Sequence, residues 1–461
     1  MRQNRWSLLR RFPWIAQTIG EYESRGSNKA KFVWAVGKIL PLLTRKLEQG
    51  RYYIENGITK QRFDDSLVDH RRKAHAHPKI SSYYEQLREI FETHQERLLE
   101  RLVMTKPKVA VIVDGPDPDN YVCILAALSS LMCYEVVAVI MTGRPVSASA
   151  GALPYVLNPY ASRAVRRDNA LHAKGILMRH GGERILVFEG GRAPFSTIPH
   201  DKHIHERVTD VYDDAHAGHM PAGDIDDAVS FLAGLDGPIH VICGGPMTDL
   251  AYLMRQPMLE GKLGIVTAQL GMFNLGTVKT IAGGRRQFNV LADVGAAYDV
   301  LTHLSSPFYL VPTDITKHDD HAFHSVDELG ILSRSKAFDE VTMMYDLAWP
   351  HMWGKLGIPA HVHDFHPAEL MDLLLREDPM HHVRPSQVGR DVIGRYSISP
   401  VGIKHVPHLL FEKHRWGEID LGLANPQLPS RFLVDGCDTS GHRRILAATL
   451  NAVGSSQLQM T

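Results

Sequence analysis

Two hydrophobic rhythms alternate along most of this chain. Val109, Val111, Ile112 and Val113 form a short, nearly continuous apolar run, the pattern of a strand covered on both faces in a parallel sheet. Asp114, Gly115, Pro116, Asp117, Pro118, Asp119 and Asn120 follow, clustering carboxylates with turn formers. From Tyr121 the apolar positions Val122, Ile124, Leu125 and Leu128 return at helical spacing. The same alternation continues downstream. Strands are predicted over 136–141, 185–188, 239–243, 264–270 and 308–312, and helices over 161–179, 228–235, 248–254 and 295–304. Gly190-Gly191 and Gly244-Gly245-Pro246 close two of the strands. Strands and helices taken in turn predict an α/β domain, a mainly parallel sheet wrapped by helices.

The flanks read differently. Tyr84, Leu87, Ile90, Phe91, Leu98, Leu99 and Leu102 recur at helical spacing in a highly charged stretch, as in amphipathic helices that need a partner surface. Residues 1–105 are therefore expected to be a helical extension ahead of an α/β domain over 106–461. After residue 384, Gly-rich turns and the apolar runs 406–411 and 432–434 predict a few strands closing the domain. Residues 454–461 read as a loose polar end. There is no internal repeat and no long low-complexity segment.

Charge changes the picture only at the start of the chain. The formal net charge is zero, which gives no argument for a nucleic-acid partner. The first fifty residues, however, carry ten Arg and Lys against three acids, the first of them Glu21. Trp6, Leu8, Leu9, Phe12, Trp14 and Ile15 are interleaved. This opening resembles a mitochondrial presequence or an interfacial amphipathic helix; the plainer reading is a basic solvated arm. The apolar stretch 32–43 is too short to span a bilayer. Cys123, Cys133, Cys243 and Cys437 lack CxxC spacing and read as reduced core residues. His318, His321 and His324 form one local cluster and His361, His363 and His366 another, and zinc is expected at neither, because spacing alone does not give convergent geometry.

The candidate chemistry lies in the acidic turn. Asp114, Asp117 and Asp119 sit at the carboxyl end of a strand, where open α/β sheets place their ligands. Hard cations such as Ca²⁺ need several oxygens converging on one point, and three Asp begin such a set. The alternative is that Asp and Asn serve only as turn and N-cap residues.

With the motifs taken in order, the sequence resembles the inosine-uridine nucleoside hydrolase family. VDGPDPDN looks like its Asp-x-Asp-Pro-Gly-x-Asp-Asp turn, ILVFEGGRAPF its second strand and loop, and VICGGPMTDLAYLM its Gly-Pro-Leu-Thr-Asn-Leu-Ala helix start. RRQFNVLADVGAAYDVL is similar to its Glu-Phe-Asn-x-x-x-Asp-x-x-Ala-Ala segment, LVPTDIT to its Pro-Leu-Asp-Val-Thr strand, and His363-Asp364 to its late His-Asp pair. The match covers 108–378, a little over half the chain. It implies a Rossmann-like fold and cleavage of an N-ribosyl bond through an oxocarbenium-like sugar. Carried over residue by residue, it implies Asp114 or Asp117 as general base and metal ligand, and Asp119 as a ribose contact. Asn120 takes the place of a metal-binding Asp, the Gly244 carbonyl that of the backbone ligand, and Asp364 that of the late ligand. Gln287 and Asn289 fall at ribose-binding positions, and His363 is the candidate acid for the leaving base.

Several positions depart from the pattern. The turn is one residue shorter and has lost the Gly of the family pattern; Asn120 removes a charge from a site whose affinity follows charge count. Gln287 stands for a Glu, Ile281 for an Asn, and Gly143-Arg144 for Gly-Asn. Lys279, Arg285 and Arg286 crowd a loop expected to face the sugar, which fits a phosphorylated ligand or, in the preferred reading, a solvated loop or an acidic partner. The expectation is thus a degenerate Ca²⁺ site, with no cofactor unless Ca²⁺ is retained. The protein is expected to be a non-catalytic, structural subunit. It would dock through its N-terminal extension on other protein subunits, with peripheral contact to a membrane or acidic surface. A mitochondrial assembly such as ATP synthase or the mitochondrial ribosome is the expected setting, and the cytoplasm is the other location considered. The alternative is an active Ca²⁺-dependent N-ribosyl hydrolase of nucleosides or nucleotides.

Overall fold

Strand β1 (Lys108–Val113) shows why its apolar run is continuous. Side chains alternate across a strand, so Val109, Val111 and Val113 enter one hydrophobic cluster while Ala110 and Ile112 enter a second on the opposite face. Each face is roofed by helices, and after Lys108 no position on the strand is left for a polar residue.

The structure is a computed structural model. It describes residues 106–115, 117–142, 159–191, 221–273, 275, 287–350, 353–377, 391–406, 419–422 and 431–453. Chain contacts divide the protein into Met1–Thr105 and Lys106–Thr461, and every described residue belongs to the second unit. The presequence-like opening, the helices expected before residue 105, Gly143-Arg144, Lys279, Ile281, Arg285, Arg286 and the polar end lie outside the described residues.

From β1 the chain enters α1 (Pro118–Ala127), then β2 (Glu135–Met141), α2 (Pro159–Arg179), β3 (Leu186–Glu189) and α3 (Ile225–Gly234). There follow β4 (Ile239–Cys243), α4 (Thr248–Met254), β5 (Leu263–Gln269), α5 (Phe288–Ala292), α6 (Val294–His303) and β6 (Phe308–Val311). Beyond these lie α7 (Lys336–Ala348) and α8 (Phe365–Glu377), then strands β7 (Asp391–Ile393), β8 (Tyr396–Pro400), β9 (Gly402–His405), β10 (Asp420–Gly422) and β11 (Arg431–Cys437), and finally α9 (His442–Asn451). The main sheet has nine strands in the order β3-β2-β1-β4-β5-β6-β11-β8-β7. It is parallel from β3 to β11 and antiparallel where β8 meets β11 and β7. The expected mainly parallel sheet is therefore observed, with an antiparallel hairpin at one edge. Strands β9 and β10 pair separately.

Two buried polar contacts tie the motifs together. Thr248 Oγ1 donates to Asp293 Oδ2 at 2.9 Å, and the other oxygen of Asp293 caps the Ala296 N–H at the start of α6. Asp314, in the single helical turn after β6, accepts from the Phe273 and Leu275 N–H groups at 2.8 and 2.9 Å. At the far end of α6, the buried Arg431 guanidinium donates to the Leu301 and Leu304 carbonyls at 2.9 and 2.6 Å, satisfying a helix C-terminus with a cation.

The structure moves two element boundaries that matter. Helix α1 begins at Pro118 rather than at Tyr121, because proline suits the first helical turn and Asp119 adds a favourable acid there. Asp119 and Asn120 thus stand on a helix rather than in the turn. Helix α9 was not expected at all; its N-cap is Gly441 at φ +82°, which supplies no polar capping signal.

Candidate functional site

Reading the strand order outward, successive connections run one way from β1 to β3 and the other way from β4 onward, so β1 and β4 flank the topological switch point. Open α/β sheets bind their ligands at such a point, beyond the carboxyl ends of the strands. Backbone bonds carry the sheet right up to this rim. Gly244 N–H donates to the Ile112 carbonyl at 2.8 Å, Thr142 N–H to Val113 at 2.8 Å, and Gly190 N–H to Met141 at 2.9 Å. Asp114 and Gly244 emerge side by side.

The turn after Asp114 is gripped from two helices. The Asp114 N–H donates to Asn120 Oδ1 at 3.2 Å, and its carbonyl accepts from Asn169 Nδ2 on α2 at 3.1 Å. Gly115 then takes φ +33°, where a Cβ would lie 2.9 Å from Met141 Cε. Glycine is needed one residue after the strand, so Gly115 serves a tight turn. Asn120 is buried, and its side-chain oxygen accepts a backbone bond inside the turn.

Four carboxylates meet at this rim. Asp117 caps no backbone group of α1; its carboxyl is hydrogen-bonded to that of Asp119. Burial first, and then the charges of Asp117, Asp364 and Asp114, hold the Asp119 carboxyl well above the usual carboxylate range. Asp364, the residue before α8, is brought in against Gly244: a Cβ at 244 would be 2.6 Å from its Cγ. Carboxylate oxygens and carbonyls are the donor types that a hard cation such as Ca²⁺ takes, and a cation would offset the repulsion that adds to burial in raising the Asp119 carboxyl. Asp114, Asp117, Asp119 and Asp364 are thus brought together.

The residues expected to hold a ribose are placed otherwise. Asn289 Nδ2 donates to the Gly244 carbonyl at 2.7 Å, to the Gln269 carbonyl at 2.9 Å and to Gln269 Oε1 at 2.8 Å. Gln287 Nε2 donates to the same Gln269 Oε1 at 2.8 Å, while its own Oε1 caps the Val290 N–H at 2.8 Å. Both amides are buried and knit β5 to α5. The Gly244 carbonyl, expected as a metal ligand, already accepts one of these bonds and retains a second lone pair.

His363 is half-buried, with Nδ1 2.7 Å from Thr316 Oγ1. Burial, then Lys317, His361 and His321, hold it well below the usual histidine range. It is neutral near pH 7, so it does not arrive with the proton that a leaving base would take.

Sequence reasoning missed Asn169 and Asp249. Asp249 is buried at the start of α4, where Oδ1 accepts a short bond from the Gly191 N–H. A Cβ on Gly190 would lie 2.3 Å from its Oδ2, so the Gly190-Gly191 pair makes room for this carboxylate. The acid within GGPMTD and the glycine pair after β3 were the available signals, and nothing in either segment alone connects them. Asn169 has no local signal, since it is one polar position on a long helix.

Comparison with protein-family models finds no match, and comparison with curated proteins finds none. Among solved structures the chain is similar to a plant nucleoside hydrolase, with 17% identity and a TM-score of 0.51 over 75% of this chain and 98% of that one. An inosine-guanosine nucleoside hydrolase matches at 14% identity and TM-score 0.51, again over 75% and 98%. A purine-preferring ribonucleoside hydrolase from Gardnerella vaginalis matches at 15% identity and TM-score 0.50, over 75% and 98%. At such identities the likeness is one of fold: the α/β domain is nucleoside-hydrolase-like.

Proposed function

We propose that this protein is a non-catalytic nucleoside-hydrolase-like subunit, with a structural role in a larger, mitochondrial assembly. The observation that carries the reading is the use of Gln287 and Asn289 inside the scaffold. Their amides bond Gln269, Val290 and Gly244, so the groups that would hold a ribose are committed to joining β5 and α5. Without that grip, binding energy for orienting a sugar against the carboxylates is lost. The basic, aromatic-rich first fifty residues and the amphipathic pattern after them support docking on other subunits, with ATP synthase or the mitochondrial ribosome as the class of host.

The convergence of Asp114, Asp117, Asp119 and Asp364 favours a second reading, a Ca²⁺-dependent N-ribosyl hydrolase. There the ion would be held by Asp114, Asp117, Asp364 and the Gly244 carbonyl, and would supply positive charge for binding a water and a sugar diol. Asp117 would take the proton of the attacking water, and Asp119 would contact the sugar. The neutral His363 could donate a hydrogen bond to the leaving base but would bring no charge.

Calorimetric titration of Ca²⁺ into chelator-stripped protein, with and without a ribose-like inhibitor, separates the two. The non-catalytic reading expects any Ca²⁺ binding to be indifferent to the inhibitor. Binding that the inhibitor strengthens would overturn it. Recovery of the protein from mitochondria within a multi-subunit complex is also expected, and recovery solely as a free homo-oligomer would count against it.

A further inference from the structure

Three histidines from distant parts of the chain meet in the core. His321 lies in a single 3₁₀ turn after β6, His366 in the first turn of α8, and His442 at the start of α9. All three are buried, and each offers a ring nitrogen within 4.8 Å of those offered by the other two. Their ring centroids are 4.1 Å (His321–His442), 4.7 Å (His321–His366) and 4.8 Å (His366–His442) apart. Among the described residues no other His, Cys, Asp or Glu group is so placed. Neither local histidine cluster in the sequence forms it; one residue is drawn from each, and the third comes from the far end of the domain.

The hydrogen bonding is unusual for a packed core. Nε2 of His366 and of His442 have no hydrogen-bond partner, and His321 has at most the Ile315 carbonyl for one of its two ring nitrogens. An unbonded buried polar atom is costly, and here at least three are gathered at one point. His366 is prepared for a definite role. The Tyr396 hydroxyl donates to Glu369 Oε2 at 2.7 Å, which leaves its oxygen to accept from His366 Nδ1–H at 3.0 Å. That bond fixes the tautomer with a bare lone pair on Nε2, the state in which metal-ligating histidines are held. Glu369 is in turn anchored by Arg395, whose Nε donates to Oε1 at 2.8 Å.

We propose that His321, His366 and His442 form a site for a divalent transition metal of the zinc class, held by their imidazole nitrogens. Imidazole suits zinc and its neighbours, and three histidines leave one coordination position for a water. A tetrahedral ion with bonds of about 2.0–2.1 Å wants its nitrogens about 3.4 Å apart, so the rings must close by up to about 1.5 Å. His442 must also change tautomer. Its Nδ1 now accepts from Arg395 Nη2 at 2.9 Å, which places the proton on Nε2. Metal at Nε2 moves that proton to Nδ1 and turns Arg395 Nη2 wholly onto Tyr396 and Glu369, which already accept from it. The ion would tie α8 and α9 to the 3₁₀ turn.

The test uses the full-length protein, stripped with chelator and then kept in excess Ca²⁺ so that the acidic turn does not take up the added metal. Co²⁺ and Zn²⁺ are titrated in separately. The expected result is about one retained equivalent, with the intense visible absorption of four- or five-coordinate cobalt. His321→Asn should abolish it. Tyr396→Phe, which removes the acceptor for His366 Nδ1 together with the hydroxyl's bonds to Glu369 and Arg395, should weaken affinity by about 10- to 100-fold. X-ray absorption of the zinc-loaded native protein covers the case of a variant that does not fold: imidazole scattering is expected, and an all-oxygen shell overturns the site. No retained metal, or full retention in His321→Asn, overturns it equally.

Discussion

Asp364 occupies the space that a side chain at residue 244 would take, since a Cβ there would lie 2.6 Å from the Asp364 Cγ. The last residue before α8 and the first after β4 are therefore one unit, and glycine is required for contact rather than for its backbone angles. Gly244→Ala should push Asp364 out of the rim and cost about 1–3 kcal/mol by overpacking. Urea unfolding and Ca²⁺ calorimetry on the variant check both consequences. Unchanged stability with unchanged Ca²⁺ response would show that Asp364 is not seated there.

Asp119 should give the chelated protein a stability that falls as pH rises. In an unfolded chain it titrates near about 3.9, whereas burial and the neighbouring carboxylates hold it well above that in the fold. Between those two values the folded chain holds the extra proton. The contribution is full below about pH 4 and is lost as pH climbs through the folded value, with a slope of up to about 1.4 kcal/mol per pH unit. Asp119→Asn should remove this slope in unfolding titrations across that window. Equal slopes in variant and parent would rule the effect out.

Gln287→Glu restores the residue type that the resemblance places there, and should nonetheless destabilise. Gln269 Oε1 already accepts from Gln287 Nε2 and Asn289 Nδ2, so a carboxylate at 287 would set oxygen against oxygen. Loss of this buried bond should cost about 1–3 kcal/mol. Paired with Asn120→Asp, it should produce no hydrolysis of inosine or uridine, read by release of base. Clear turnover would restore the enzyme reading.

What could be read in the sequence followed from locality. β1, β4 and β5 announce themselves because a parallel strand buried on both faces is mostly apolar, with only His240 in β4 and Thr267 and Gln269 in β5 breaking the two later runs, and β4 and α4 fall at their expected residues. Asp114, Asp117 and Asp119 are legible for the same reason, being a few residues apart. The link between Gly244 and Asp364 entered only through resemblance, since no local rule brings two such distant positions together. The bonds that Gln287 and Asn289 make to Gln269 were not legible, because Gln269 lies at the end of another strand. Helix α9 escaped because it is short, capped by Gly441, and amphipathic over too few turns to outweigh the strand signals before it.

The histidine core should make the chelated protein acid-labile, with the opposite sign to Asp119. Burial first, then Arg395 and His318, push His321 down to about 3, while in the unfolded chain it titrates near about 6.5. Below that value the unfolded chain binds the extra proton. The stability that comes from keeping the ring neutral is therefore complete above about pH 6.5 and is lost as pH falls through about 3, at up to about 1.4 kcal/mol per pH unit. His366, lowered by burial and then by His442 and His321, and His442, lowered by burial and then by His321 and Arg395, add to the same slope. Because Asp119 works against them from about pH 4 up to its raised folded value, the parent profile there reports only their difference. Urea midpoints of Asp119→Asn, with metals chelated, should therefore rise with pH across this range more steeply than those of the parent. His321→Gln in the same background should flatten the rise by about one proton's worth. A profile that His321→Gln leaves unchanged would mean that His321 is charged in the fold, and its buried nitrogens would then need another account.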